Sequence, residues 1–409
     1  MSNVTYGRGR YGRNIYAGHQ GKINSGYNRD KLIYFDNIYS VIAYNKNGTK
    51  SAIFGNGSES NSIEKMNFEI TETGCGKLDI TFRRLPRNTE LQYHQRVDVH
   101  LFNDPEPWYS GYIITRPVTG TTEESFKFTA HGYYNLLDKI IIVKTYENME
   151  VSKIVQDIAK TVELRVGIPY RDTKIQSAHY VISKIEFDHV SAKECLKQLA
   201  DFATDYAYGV DEHRNIYFMP RVATINEQAR FWVGEHISGY VPTWNIEKII
   251  NHAYIKGGNV DENGEQWLAE VADEESQKIY GIQEKVLDLP SAYSERDAKR
   301  WGQNQIEKYK EPVKSAKVSN IKLEYPLANG QFFIRKLSTQ GRAAITALDG
   351  ERYDYSISKL KYTVSAKDGI KCDMELGEQP FSIDKYLFNI EREAKVAELM
   401  QQAATRQLK

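Results

Sequence analysis

Residues Ser191 to Pro220 read SAKECLKQLADFATDYAYGVDEHRNIYFMP, and the change of period inside this stretch decides the fold. Ser191-Ala192-Lys193-Glu194 is a capping box, in which the Ser oxygen and the Glu carboxylate satisfy free amides at a helix start. Cys195, Leu196, Leu199, Ala200 and Ala203 follow at helical spacing and form one apolar face, which makes Cys195 a core residue. The period then shortens. Residues 206–210 and Ile216-Tyr217-Phe218-Met219 are short β-prone runs joined by the polar segment 211–215. A helix that feeds directly into a hairpin is a compact α+β unit. Just upstream, Val151, Ile154, Val155, Ile158 and Val162 form a second helical stripe of the same unit.

Outward from this unit, both flanks are strand-like. On the N-terminal side, 38–44 and 49–54 flank Asn47-Gly48, a strong hairpin signal because both residues tolerate positive φ. Tyr93, Val97, Val99 and Leu101 alternate with His94, Arg96, Asp98 and His100, the period of a half-buried strand. Residues 108–115 predict another strand, and Phe126, Phe128 and Ala130 alternate with polar neighbours. On the C-terminal side strands return from about 234, with 249–255 the first good candidate. A helix over 293–311 interrupts them, capped by Ser294, with Ala298, Trp301, Gln305 and Tyr309 on one face and Pro312 at its end. Tyr353, Tyr355 and Ile357 alternate with polar residues, and Leu360, Tyr362 and Val364 resume on the opposite phase. The slip around Lys359 predicts a bulge or tight turn. Ser382 then caps a closing helix with Ile383, Leu387, Ile390, Ala394 and Ala397 along one seam. The expected fold class is α+β, mostly β. A first small β-barrel domain spans 32–145, an α+β insert 146–233, a second barrel 234–381 and a C-terminal helix 382–409.

Ahead of the first barrel, residues 1–31 form an arm rich in Tyr, Gly and Arg. It carries Arg8, Arg10, Arg13, Lys22, Arg29 and Lys31 against Asp30 alone. Gly7-Arg8-Gly9-Arg10-Tyr11-Gly12 matches GxGxxG by letter, but a dinucleotide site needs a preceding strand, and there is no room for one. Arg interleaved with Tyr suits nucleic acid, yet it equally suits an arm lying across a neighbouring subunit. The second reading is preferred, because the 54 Lys and Arg of the 409-residue chain are balanced by 54 Asp and Glu. That balance argues against a nucleic-acid coat or a polybasic membrane binder. The three cysteines, Cys75, Cys195 and Cys372, lie far apart and suggest neither a disulfide framework nor a zinc site. No apolar run approaches the roughly 18 residues of a membrane span. The 28 tyrosines exceed the 15 phenylalanines, which fits strands and also partner-facing surfaces.

The chemistry candidates are few. His94 and His100 are expected on the same strand face, but six residues place them about 20 Å apart, too far to share one ion. The paired carboxylates open to a glycosidase are Asp104 with Glu106, Glu123 with Glu124, and Asp273-Glu274-Glu275. All lie in polar, turn-like stretches, whereas a catalytic acid needs apolar neighbours that raise its pKa. Trp108, after Asp104-Pro105-Glu106-Pro107, is the residue on which a carbohydrate- or receptor-binding reading rests. Weighed together, no catalytic, cofactor or metal residue is assigned, and the chain is expected not to be an enzyme.

The order of elements is more informative than any site. Gly111-Tyr112-Ile113-Ile114 followed by FKFTAHGYYNLLDK (126–139) resembles the first barrel of the baseplate-hub and tail-tip family of phage tails. Residues 191–220 look like that family's helix-then-hairpin insert. Residues 273–312 are the closest match in style, with Tyr280-Gly281, then Arg296-Asp297-Ala298 opening a helix that ends Lys308-Tyr309-Lys310-Glu311-Pro312. The closing 370–377, with Glu375-Leu376-Gly377, is similar to the last strand of the second barrel. The resemblance spans roughly residues 35 to 380. It implies a homotrimer whose paired barrels present a pseudo-six-fold ring to the tail tube protein. It also implies a central spike or tip protein, other baseplate proteins and a tape-measure protein as partners. DNA would pass through a channel without a stable nucleic-acid site. The location implied is the virion tail, after assembly in the host cytoplasm. With the last helix ending at 409, the chain is expected to be the bare hub, without a lysozyme or peptidase module.

Overall fold

The computed structural model describes residues 39–55, 63–83, 91–102, 104–117, 126–203, 206–260, 266–289, 294–326, 332–365 and 369–377. The arm 1–31 and the helix expected over 382–409 lie outside the described residues. Seven strands come first: β1 (Tyr39–Tyr44), β2 (Lys50–Gly55), β3 (Ile63–Thr71), β4 (Gly74–Phe82), β5 (Arg96–Leu101), β6 (Tyr109–Thr115) and β7 (Lys127–Gly132). The middle of the chain holds β8 (Ile141–Glu150), α1 (Val151–Val166), β9 (Val181–Ser191), α2 (Ala192–Asp201), β10 (Tyr206–Val210) and β11 (Ile216–Pro220). Then follow β12 (Ile225–Trp232), β13 (Gly239–Asn245), β14 (His252–Val260), β15 (Gln266–Ala272), α3 (Glu274–Tyr280), β16 (Glu284–Leu289) and α4 (Glu295–Tyr309). The last strands are β17 (Val313–Ile321), β18 (Glu324–Pro326), β19 (Phe332–Ile334), β20 (Arg342–Thr346), β21 (Arg352–Ser365) and β22 (Gly369–Gly377). The fold is α+β and mostly β.

Strands from both flanks of the insert form one sheet, in the order β13-β17-β22-β21-β3-β4-β7-β6-β5-β1-β2. The join is the antiparallel pair β21–β3, where Tyr362 stands opposite Phe68. Their rings stack at 4.8 Å, and Trp108 meets Tyr362 edge-on at 5.6 Å. Such pairs add about 0.5–1.5 kcal/mol beyond burial of their area. One apolar core runs through this join, from Tyr39 and Val41 to Met374 and Leu376. Within β21 the register shifts between Ile357 and Lys359, so the slip seen in the sequence is a bulge inside one long strand. At the other end of the path the sheet curls over itself. The hydroxyls of Tyr240 on β13 and Tyr355 on β21 meet at 2.8 Å, and Trp244 lies 6.3 Å from Tyr353.

A second core belongs to the insert. The whole expected stripe of α1 is buried, and Ser191 caps α2 by accepting from the Glu194 amide at 3.3 Å. Cys195 is buried there, as expected. The hairpin β10–β11 closes through Asp211, whose Oδ1 accepts from the amides of His213 and Asn215. Ile250, Ala253, Ile255, Ala269, Val271 and α4 residues Ala298, Trp301 and Ile306 join this same core. Apart from Ile250, which precedes β14, they come from the three-stranded sheet β15-β14-β16 and the helix that covers it. On α4 the buried face carries Asp297, Gly302 and Ile306 beside the expected Ala298 and Trp301, while Gln305 and Tyr309 are half-buried.

One buried histidine ties stability to pH. His236 is fully buried, and its Nδ1 accepts from the Trp232 amide at 3.0 Å. Burial lowers its pKa from 6.5, Lys322 adds to the lowering, and Glu235 opposes it. A depressed histidine contributes stability in full above its unfolded value and loses it as pH falls through the folded value. The urea midpoint is therefore expected to fall between about pH 7 and about pH 5. His236→Asn, whose amide oxygen can still accept from Trp232, should flatten part of that slope. An unchanged slope would sink the assignment.

Candidate assembly interface

The residues singled out for chemistry serve the fold. His94 is not on a strand face with His100. It precedes β5 in the left-handed region at φ 60°, because its amide donates to Ile113 at a bend in the chain, and its ring stacks on Tyr112 at 5.8 Å. The His100 ring packs its Nδ1 against the Asp104 carbonyl oxygen at 3.1 Å. Asp104 is a turn staple. Its Oδ1 accepts from the Glu106 amide at 3.0 Å, and its Oδ2 accepts from Trp108 Nε1 at 3.1 Å and Lys336 Nζ at 3.3 Å. Glu106 is 62% exposed and faces His213 at 3.6 Å.

Asp273 caps α3 by accepting from the Ser276 amide at 2.9 Å. That bond, with Lys310 nearby, holds its carboxyl below the usual range. Glu274 and Glu275 occupy the first turn of α3, where the helix dipole favours acids. Glu123 and Glu124 lie outside the described residues. Trp108 is 5% exposed and therefore a core residue, unable to present its face to a sugar. All three cysteines are buried, and burial pushes the Cys195 thiol up to about 12, away from thiolate chemistry. Among the described residues no group of three His, Cys, Asp or Glu is placed to hold a metal ion, and no helix is long and apolar enough to cross a membrane.

Many of the described tyrosines are core residues. Tyr39, Tyr109, Tyr112, Tyr134, Tyr146, Tyr206, Tyr217, Tyr355 and Tyr362 are buried in this chain's own cores. Among the described tyrosines Tyr93, at 54% exposure, is the open one. Several of these rings find a hydroxyl acceptor inside, as for Tyr217, whose hydroxyl donates to the Glu72 carbonyl at 2.6 Å.

Among the exposed large hydrophobic residues, some lie on strands of the main sheet and of the three-stranded sheet. β13 ends the main sheet, with Val241 62% and Trp244 60% exposed, and Ile246 just beyond is 67% exposed. This strand lies within the region from about 234 where strands were expected to return, ahead of 249–255, the first good candidate. A proline within a β-prone run is itself the signal of an edge strand, since it has no N–H for a ladder. The second open surface is the outer face of β15-β14-β16. The inner face of that sheet buries Ala253, Ile255, Ala269 and Val271. The outer face exposes Leu268 at 53% and Val286 at 50%. On it His252 is held between Glu270, 2.7 Å from Nε2, and Glu284, 3.2 Å from Nδ1.

The family defined as YQBQ-like matches residues 56–365, most of the chain and both flanks of the insert. The chain belongs to the YQBQ-like family. No curated protein matches its sequence. Among solved structures, this YQBQ-like chain is similar to the 43 kDa tail protein of prophage MuSo2 from Shewanella oneidensis. The TM-score is 0.58 at 14% identity, over 83% of this chain and 98% of that one. A tail protein from Neisseria meningitidis MC58 aligns with TM-score 0.54 at 11% identity, over 83% and 96%. Prophage tail protein gp18 from Listeria monocytogenes EGD-e aligns with TM-score 0.53 at 12% identity, over 88% and 99%. The YQBQ-like chain thus shares the fold of phage tail proteins, and the likeness read from element order holds at the level of fold.

Proposed function

We propose that this chain is the structural hub of a phage tail or a related injection machine, located in the virion tail and acting without a catalytic step. The observation that carries the reading is the breadth of the shared fold, which takes in 96–99% of three solved tail proteins. In this reading the chain works as a homotrimer. Strands 39–132 and 225–245 with 313–377 act as two barrel-like halves, so three copies present six similar units to the tail tube protein. The insert, together with 250–309, stands apart as an α+β unit. A central spike or tip protein, other baseplate proteins and the tape-measure protein meet the ring, and DNA leaves through its channel. The curl that brings Tyr240 and Trp244 of β13 over Tyr355 and Tyr353 supports a barrel-like second half.

Native mass measurement tests the reading. The expected species is three times the chain mass of 47.0 kDa, either alone or with tube and spike partners. A protein that remains monomeric at every concentration and with both partners would overturn it.

A further inference from the structure

A cluster of aromatic rings is open to solvent near the end of β13. Trp244 and Tyr240 lie on one face of that strand, and both meet Tyr353 of β21, at 6.3 and 6.5 Å between ring centroids. Lys314, opposite Trp244 on β17, lies over the Trp244 ring at 6.0 Å. Trp244 is 60% exposed, whereas Tyr240 and Tyr353 are half-buried and pack against the main core. The open ring is therefore the outer part of a continuous apolar surface, not a lone exposed side chain.

The chain leaves the sheet beside this cluster. Gly377, the last residue of β22, pairs with Ser315, and a Cβ on it would lie 2.0 Å from the Lys314 carbonyl oxygen. On the other side of β22, Leu376 stands opposite Ile357, and β21 extends beyond that pair through 352–356, the stretch that carries Tyr353. In the sheet order β13 is two strands from β22, a distance of about 10 Å, and three extended residues span about as much. Glu378-Gln379-Pro380 thus suffice to bring the chain to Trp244. The sequence that follows is apolar at the needed point: Phe381, then Ile383, Leu387 and Ile390 along one expected helix face, with Ser382 as its cap.

We propose that residues 381–397 dock on this cluster in the same chain, laying the Ile383, Leu387 and Ile390 face over Trp244 and Tyr353. The inference goes beyond the hub reading and does not rest on it. Tethering at Gly377 argues for this occupant over a second copy, because a short linker gives its own segment an effective concentration of about millimolar. Pro380 fits the path, since it has no N–H with which to prolong the β22 ladder.

The test uses the full-length chain. In hydroxyl-radical footprinting, Leu387→Asp with Ile390→Asp should raise modification of Trp244 about fivefold while buried Trp108 stays protected. Conversely, Trp244→Asp should speed amide exchange across 383–397 about tenfold and leave β3 and β21 as they are, whereas Trp244→Phe should keep most of the protection. If Trp244 is modified equally in the wild type and the double variant, the cluster is open in the isolated chain and the proposal falls. If protection of 383–397 is lost on dilution, the occupant is a second copy and the contact within one chain is wrong. These readings apply equally to a monomer, so failure of the hub reading would leave them standing.

Discussion

Replacing Asp297 by Ala is expected to destabilise the insert by about 3 kcal/mol or more, the scale for removing one member of a buried charged network. Asp297 is fully buried at the start of α4, where its amide donates to the Ser294 hydroxyl at 3.2 Å. Its carboxylate accepts from the Tyr180 hydroxyl at 2.7 Å and from the Ser183 amide at 3.0 Å. Arg296 approaches it at 3.4 Å and also donates to the Val181 carbonyl at 3.0 Å and the Ser183 hydroxyl at 2.9 Å. One carboxylate thus ties α4 to β9, more than a hundred residues earlier in the chain. Burial, with Asp297 beside it, pushes the Tyr180 phenol up, so the hydroxyl stays a donor. Truncation leaves that hydroxyl and the Ser183 amide without their acceptor. Urea unfolding followed through tryptophan emission, with Trp301 one turn along α4, reads the effect. Asp297→Asn, which keeps one acceptor oxygen, should lose distinctly less. Equal midpoints for wild type and Asp297→Ala would show that the network carries no net stability.

The second large effect is expected at Gly74. Its φ is +107°, and a Cβ there would lie 1.8 Å from the Val210 carbonyl oxygen, a backbone atom that no rotamer change can move. The close approach is the seam between the main sheet and the insert hairpin. Val210 bridges Gly74 in parallel, and its amide donates to the Thr73 carbonyl at 3.1 Å. Gly74→Ala is therefore expected to cost about 3 kcal/mol, the upper end for overpacking. It should also raise amide exchange at Val210 by separating β10 from β4. Gly48→Ala is the matched control. It too has positive φ, +81°, but a Cβ there meets nothing within 4 Å, so strain alone costs about 1 kcal/mol. If the two substitutions cost the same, the steric account of the seam is wrong.

Neither effect was visible in the order of residues. Asp297 appeared only as part of Arg296-Asp297-Ala298 opening a helix, and Gly74 is the first residue of β4, directly after the turn at 72–73. What was legible has a local cause. The Ser191 cap, the buried stripe of α1, the Asn47-Gly48 turn and the bulge before Lys359 all depend on residues a few positions apart. Periodicity reports such causes directly. Trp108 shows the converse. Its acidic, proline-rich neighbourhood suggested exposure, but Tyr362 and Phe102 close over it from elsewhere in the sheet. His94 has a related cause, because the apolar–polar alternation continues past the point where the backbone turns into a left-handed residue.

The site has the same division. The sequence by itself determined that this is a mostly β chain with an α+β unit at its centre, because hydrophobic period and capping chemistry are short-range. Only the tertiary structure decided that the two β flanks share one sheet through Phe68 and Tyr362, and that Tyr109, Tyr217 and Tyr362 among the described tyrosines are buried. It alone left Val241, Trp244, Leu268 and Val286 in solvent. Those outcomes depend on which strands meet across hundreds of residues. No local propensity encodes that choice, since any strand with one apolar face can bury it against several partners, and packing selects among them.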